Sequence, residues 1–326
     1  MREVEQELLA LTGATSVVRT ESVQNLWSGY GDILRFHLAG GDCPSVILKH
    51  IRWPEVPNHP RGWDTHLSHQ RKQKSYEVEQ HWYEAYAART TSGCRVPELL
   101  RSINKDGETF LLLEDLNASG YPLRFTPDTV TMTEIKSGLR WLAHFHAAFM
   151  GEKGEGLWPV GTYWHLNTRP DEWARMQNQP LKDAARQIDK RLSASRFQTL
   201  VHGDAKLANF CFGKGGEVAA VDFQYVGRGC GMKDVAYFIS SCLEEEDCQQ
   251  HEEALLGEYF SHLQAALGPE TDFAALHAEW NDLYRYAWAD FYRFLDGWSP
   301  GHWKMHDYSE ALTRQVLQEL KKTGSQ

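Results

Sequence analysis

Between Thr199 and Gln224 the chain reads TLVHGDAKLANFCFGKGGEVAAVDFQ, and this stretch constrains the fold more than any other. Two apolar, strand-like runs, Thr199 to Val201 and Val218 to Val221, each lead into a short loop. The first loop carries Asp204, Lys206 and Asn209; the second carries Asp222. A carboxylate able to take the proton of an attacking hydroxyl, with oxygen ligands from elsewhere for a divalent cation, is what phosphoryl transfer requires. Asp and Asn also favour turns for purely local reasons, so each residue alone says little. Their occurrence in order is what the local explanation leaves out.

The full set is His202-Gly203-Asp204 with Asn209 five residues on, then Val221-Asp222-Phe223-Gln224, then Lys233-Asp234-Val235-Ala236. The Asp-to-Asn interval matches the protein-kinase catalytic loop, and Asp-Phe follows at a hairpin's distance. Together these motifs resemble the aminoglycoside phosphotransferase and choline kinase-like superfamily. Asp-Phe-Gln in place of Asp-Phe-Gly most resembles its ecdysteroid kinase-like branch. The resemblance implies an α+β, bilobal, protein kinase-like fold. A small β-sheet N-lobe would occupy residues 1–116 and end in the hinge, and a larger, mainly helical C-lobe would occupy 117–326. It further implies ATP and Mg²⁺ as cofactors, Asp204 as the catalytic base, and Asn209 and Asp222 as metal ligands. Lys206 stands where Ser/Thr protein kinases carry a lysine; it reaches the transferring phosphate or forms a structural ion pair, with Asp204 as a candidate partner. Asp234 is expected to start a helix and brace the catalytic loop. Gln224 lacks the freedom of glycine, which implies a fixed metal loop.

Upstream, a short helix over 2–11 precedes strands at 17–21, 33–38 and 45–51. Strand alternation places Val46, Leu48 and His50 on one face and Lys49 on the other. Ser45-Val46-Ile47-Leu48-Lys49 resembles the kinase strand whose lysine pairs the nucleotide phosphates. Gly29 and Gly31 precede it, where a phosphate-covering flap needs close backbone approach; a GxGxxG is absent. Residues 53–64 read as a loop and 66–89 as a helix. On that helix Glu79, in Glu-x-x-Trp-Tyr, best matches the family's Glu-x-x-Phe-Tyr position for the glutamate that holds the lysine, with Glu77 and Glu84 as alternatives. Strands over 98–104 and 108–114 flank Asp106-Gly107, a strong hairpin signal. The second runs into Leu111-Leu112-Leu113-Glu114-Asp115-Leu116, which resembles the family's hinge, where main-chain groups of Glu114 and Leu116 would meet the adenine edge.

The rest reads as helical, with helices over 131–150 and 171–195 around an irregular insert. His144 and His146 read as packing or surface histidines. Trp280, Tyr284, Trp288, Phe291, Leu295 and Trp298 recur at helical spacing and read as core. Beside them Asp282, Tyr286 and Asp290 are the candidate substrate residues, an acid and aromatic set able to hold a cation; the tryptophans could equally serve an apolar alcohol. With 326 residues there is length for two cores. A net charge of -10 without a long Lys/Arg block makes nucleic acid or an anionic membrane an unsuitable partner. Six scattered cysteines without a CxxC imply free thiols, and acids in the first residues speak against a signal peptide, so a cytoplasmic location is expected. The expected partner is a small hydroxyl-bearing molecule; oligomeric state is not legible. The competing function is a nucleotide-binding pseudokinase that acts by contact, against which the intact Asp204, Asn209, Asp222 and Lys49 speak.

Overall fold

The computed structural model describes residues 2–26, 29–53 and 66–323. Its helices are α1 (Arg2–Thr12), α2 (His66–Ala85), α3 (Met132–Ala148), α4 (Pro170–Arg175), α5 (Gln179–Ser193), α6 (Met232–Cys242), α7 (Glu245–Ala266), α8 (Phe273–Trp298) and α9 (Asp307–Thr323). Its strands are β1 (Ser16–Asn25), β2 (Gly31–Ala39), β3 (Ser45–Ile51), β4 (Leu99–Lys105), β5 (Glu108–Glu114), β6 (Thr199–Val201), β7 (Phe210–Phe212), β8 (Val218–Ala220) and β9 (Gly227–Gly229). They form an α+β fold of two compact units. Of the expected glycine flap, Trp27 and Ser28 lie outside the described residues, as do residues 54–65 of the expected loop.

The first unit comprises Met1–Arg89, Arg95–Leu123 and Cys211–Val221. Its sheet is antiparallel, in the order β1-β2-β3-β5-β4. Alternation along β3 sends Val46 and Leu48 into a core with Phe36, Phe110 and Leu112, closed by Val4 and Leu8 of α1. His50 shares that face and stacks on Phe110. Lys49 therefore emerges on the opposite face. β1 runs beyond the expected 17–21 because register shifts at Val17/Arg19 and Ser22/Gln24 break the alternation that would have revealed it. Asp106 and Gly107 both take positive φ, 51° and 80°, as a two-residue hairpin turn requires. The unit continues past the hinge to Leu123, whose N–H and C=O exchange 3.0 Å bonds with Phe212. Leu116, Cys211 and Ala219 share one apolar cluster. Main-chain pairing and burial thus place 211–221 with this unit, whose middle segment runs to Leu123.

The second unit comprises Thr90–Cys94, Arg124–Phe210 and Asp222–Gln326. Its α3 starts in a full capping box, Thr131 with Glu134, and buries Ile135, Leu139, Leu142 and Phe145. All eleven residues of α6 are buried. That makes α6 the central rod, and it fixes Asp234 in the interior. The helix expected over 171–195 is two, α4 and α5. The break lies at 176–178, where Asp296 of α8 accepts from Gln177 N (2.8 Å) and Asn178 N (2.9 Å), and Asn178 caps α5 just before Pro180. The α8 stripe is core as expected: Trp280, Tyr284, Trp288, Phe291 and Leu295 are buried.

Candidate active site

The catalytic loop is held by its backbone. β6 pairs antiparallel with β9, Thr199 opposite Gly229. The chain then turns through Gly203 at φ 80°, where a Cβ would lie 2.0 Å from the Tyr225 carbonyl oxygen, so no other residue fits. Asp234, in the first turn of α6, accepts from His202 N (2.6 Å) and Gly203 N (3.0 Å). Its Oδ2 also meets His146 Nε2 at 3.2 Å, and the other nitrogen of that ring meets the Tyr259 hydroxyl at 2.7 Å. Asp234, His146 and His202 are fully buried, where charge-assisted bonds to a carboxylate are strong. The helix cap itself is Gly231, so Asp234 serves the loop rather than the helix end. The role of His146 was invisible to sequence because its partner lies 113 residues away.

That frame presents Asp204 asymmetrically. Oδ2 accepts from Lys206 Nζ at 2.9 Å and Asn209 Nδ2 at 3.2 Å. Oδ1 is buried with no donor in good hydrogen-bond geometry, the nearest candidate being the Tyr237 hydroxyl, which interacts with the Asp204 carboxylate. Leaving a buried acceptor unsatisfied costs about 1–3 kcal/mol. Asn209 Nδ2 also donates to the Asp204 carbonyl at 2.8 Å, which commits the amide nitrogen and leaves its oxygen for a cation. Asp222 takes φ 71°, a left-handed conformation that costs a non-glycine residue of order 1–3 kcal/mol and is typical of functional positions. Its Oδ1 accepts from Gln224 Nε2 at 2.6 Å, while the Gln224 carbonyl is held by Trp158 Nε1 at 2.8 Å. The side chain after Asp-Phe thus orients the aspartate, a task glycine could not perform. Burial opposes the charge on Lys206, but Asp204 and Asp222 outweigh it and push its pKa up, so it is an ammonium throughout the neutral range.

Two phenols surround Asp204 that the sequence did not single out. Burial, reinforced by the Asp204 charge, holds Tyr163 and Tyr237 well above the usual phenol range, so both remain protonated. Tyr163 sits in the irregular insert and Tyr237 inside a buried helix, where an aromatic residue reads simply as core.

In the first unit, Lys49 Nζ donates to both oxygens of Glu79, at 2.8 and 2.7 Å. Both side chains are buried, 5% and 1% exposed. Glu77 instead meets Lys74 and Glu84 meets Gln80 at the surface. Gly31 takes φ 126°, with space for a Cβ denied by the His50 carbonyl oxygen at 2.0 Å; Gly29, at φ 78°, faces open space. Glu114 pairs with Arg95 at 2.5 Å, and the Leu116 carbonyl accepts from Tyr121 N at 2.8 Å.

Asp282, Tyr286 and Asp290, the candidate substrate residues, all lie on α8. Asp282 is neutralised by Arg191 (3.0 Å) and by Arg285. Asp290 is fully buried, accepting from Arg293 at 2.8 Å and Trp164 Nε1 at 3.0 Å. The Tyr286 hydroxyl donates to Glu319 at 2.9 Å. Each of the two acids already has a cation partner.

A five-stranded antiparallel sheet whose Lys49 pairs with Glu79 of α2, and a helical unit carrying Asp204, Asn209 and Asp222, define the class of α+β, protein kinase-like folds. Within that class, residues 163–269 match the ecdysteroid kinase-like family. The fold is similar to the microcompartment-associated aminopropanol kinase at 14% identity, over 99% of this chain and 98% of that one, TM-score 0.52. It is similar to aminoglycoside phosphotransferase APH(4)-Ia at 14% identity, over 96% and 98%, TM-score 0.51. A third likeness is to APH(2")-IIia in its GDP and kanamycin complex, at 12% identity over 99% of each chain, TM-score 0.50. No curated protein matches the sequence at a significant level. Among the described residues no helix is long and apolar enough to cross a membrane.

Proposed function

We propose that this chain transfers the γ-phosphoryl group of ATP to the hydroxyl of a small molecule. The observation that carries the reading is Asp204: one carboxylate oxygen is tied down by Lys206 and Asn209, and the other is buried without a donor in good hydrogen-bond geometry. An acceptor hydroxyl supplies that donor. Asp204 Oδ1 aligns the hydroxyl and takes its proton as the acceptor oxygen bonds to phosphorus and the bond to the β-phosphate oxygen breaks, releasing ADP.

The amide oxygen of Asn209 and the carboxylate of Asp222 fit Mg²⁺, a hard cation that takes few protein oxygens and completes its shell with phosphate and water. Among the described residues no cluster of three or more His, Cys, Asp or Glu offers an all-protein cage, in keeping with such a shared site. When bound, Mg²⁺ supplies charge neutralisation on the phosphate oxygens. Lys49, oriented by Glu79, would pair the α- and β-phosphates, and the main-chain groups of Glu114 and Leu116 would meet the adenine edge. Gly29 and Gly31 would allow the backbone to approach the phosphates. Lys206, a permanent cation on Asp204, is placed to stabilise the transferring group as well as the base.

The test is incubation of purified protein with MgATP and a panel of alcohols, following ADP release and the mass of the acceptor. The reading predicts a phosphorylated acceptor that disappears in Asp204→Asn. Protein that binds MgATP but phosphorylates nothing across a broad panel contradicts it.

A further inference from the structure

The segment between α8 and α9 brings a further buried lysine into the second unit. Lys304 is 7% exposed. Its backbone is fixed by bonds from its N–H to His302 Nδ1 (3.2 Å) and from Ser309 Oγ to its carbonyl (3.0 Å). Its ammonium lies 4.7 Å from the ring centre of Tyr237, 5.5 Å from Phe291 and 5.3 Å from Trp303. The only side-chain oxygen within bonding reach among the described residues is Ser240 Oγ at 3.5 Å, a weak contact. The other buried lysines each face a carboxylate: Lys49 meets Glu79 at 2.7 Å and Lys233 lies 3.9 Å from Asp290. Lys304 forms no ion pair among the described residues.

Three ring faces around one nitrogen make a box for a cation. Tyr237 is one wall of this box, and its ring packs edge-on at 5.6 Å against Tyr163, whose N–H donates at 3.0 Å to the carbonyl of Gly203, the residue before Asp204. The box therefore stands beside the carboxylate that receives the acceptor hydroxyl. It is also filled. A substrate ammonium or quaternary nitrogen placed there would displace a tethered cation or share the site with it at close range, which a low-dielectric setting penalises heavily.

We propose that Lys304 is a specificity-determining residue that occupies the cation box beside Asp204, so that the acceptor is an alcohol with no positive charge and with a second oxygen to accept a hydrogen bond from the lysine. This deepens the kinase reading and rests on it for the identity of the acceptor. The occupied box stands on geometry alone. Burial lowers the Lys304 pKa to about 8, in keeping with a cation that lacks a carboxylate and gains from an oxygen partner. The partly exposed Tyr163, Trp298 and Met305 beside the buried cluster of Trp164, Tyr237 and Phe291 supply apolar surface for the body of such an alcohol.

The experiment measures binding by calorimetry with MgADP present, using two probes of the same shape. One is choline; the other is its carbon isostere, in which a quaternary carbon replaces the nitrogen. Wild type and Lys304→Arg, which keeps the box filled, are expected to bind choline no better than the isostere. Lys304→Met empties the box, and choline affinity is expected to rise at least tenfold while the isostere changes little. Lys304→Gln replaces the methionine variant if that fails to fold, with MgADP binding as the check on integrity. The proposal is overturned if wild type prefers choline to the isostere, or if the emptied, MgADP-binding variant gains no choline affinity. These readouts need no turnover, so an inactive protein would sink the kinase reading and leave the box intact.

Discussion

Two lysine and carboxylate pairs, one in each unit, make opposite use of the same chemistry. Lys49 donates to both oxygens of Glu79, and the pair is buried on both sides. Lys206 occupies only one oxygen of Asp204, with the lysine 38% exposed and the other oxygen buried without a donor in good hydrogen-bond geometry. A saturated pair is a fixture, since neither partner has reason to move or to react. A half-used pair holds its geometry while keeping one acceptor for an incoming hydroxyl. On the proposed function, the contrast separates residues that position from residues that react.

After Asp204 itself, the largest effect is expected at Asp222, the aspartate proposed to face the metal. Asp222→Asn removes the charge of the proposed ligand but keeps a side chain that tolerates the φ of 71°. Turnover should fall by about 10²–10³, the scale of a lost transition-state charge contact. The Mg²⁺ concentration for half-maximal rate should rise, as a titration at fixed ATP would show. Unchanged Mg²⁺ dependence would remove Asp222 from the metal.

Lys49→Met breaks the saturated pair and takes the lysine cation from a buried Glu79, a loss of about 3–5 kcal/mol in urea unfolding. Adding Glu79→Leu should restore most of that stability without restoring nucleotide affinity. If the double variant binds ATP normally, the pair is structural only.

The half-used pair should respond the other way round. Lys206→Ala is expected to cost less than about 1 kcal/mol of stability, because the ion pair is partly exposed. Its turnover should drop by about 10- to 100-fold, the worth of a charge-assisted hydrogen bond, with little change in ATP affinity. Equal stability loss in Lys206→Ala and Lys49→Met would erase the distinction.

The smallest effect is a pH dependence. Lys304 titrates at about 8 in the folded chain against 10.5 unfolded. Between these values the unfolded state binds more protons, so this group raises stability as pH rises. From pH 8 to 9 the gain is at most about 1.4 kcal/mol. Over the same pH range and above it the buried thiols of Cys230, Cys242 and Cys248, pushed up to about 12 from 9.0, act in the opposite sense, because the unfolded thiols lose protons first. The change in unfolding free energy from pH 8 to pH 9 should therefore be more positive in wild type than in Lys304→Met by up to that increment, the thiols being common to both.

What was legible in the sequence follows from the range of the interactions. Strand alternation at 45–51, the Asp106-Gly107 turn and the α8 stripe are local patterns with local causes. So is the motif order from His202 to Asp234, which supplied both the fold class and the loop residues. Illegible were the features made by distant partners. His146 needs Tyr259 and Asp234, and Lys304 needs Tyr237 and Phe291 across an aperiodic Gly301-His302-Trp303 stretch. Asp282 and Asp290 looked available because the arginines that neutralise them could not be assigned without the fold. Charge in a sequence shows which groups exist; only contacts show which are already used.

The most direct test of the half-used carboxylate is a single-turnover measurement on Asp204→Asn, with nucleotide affinity taken on the same sample. Asparagine keeps the shape and an oxygen but cannot receive the proton. The account predicts MgATP affinity close to wild type and phosphoryl transfer to the acceptor slower by about 10²–10⁴. Transfer at the wild-type rate, or a loss traced wholly to weaker nucleotide binding, would contradict it.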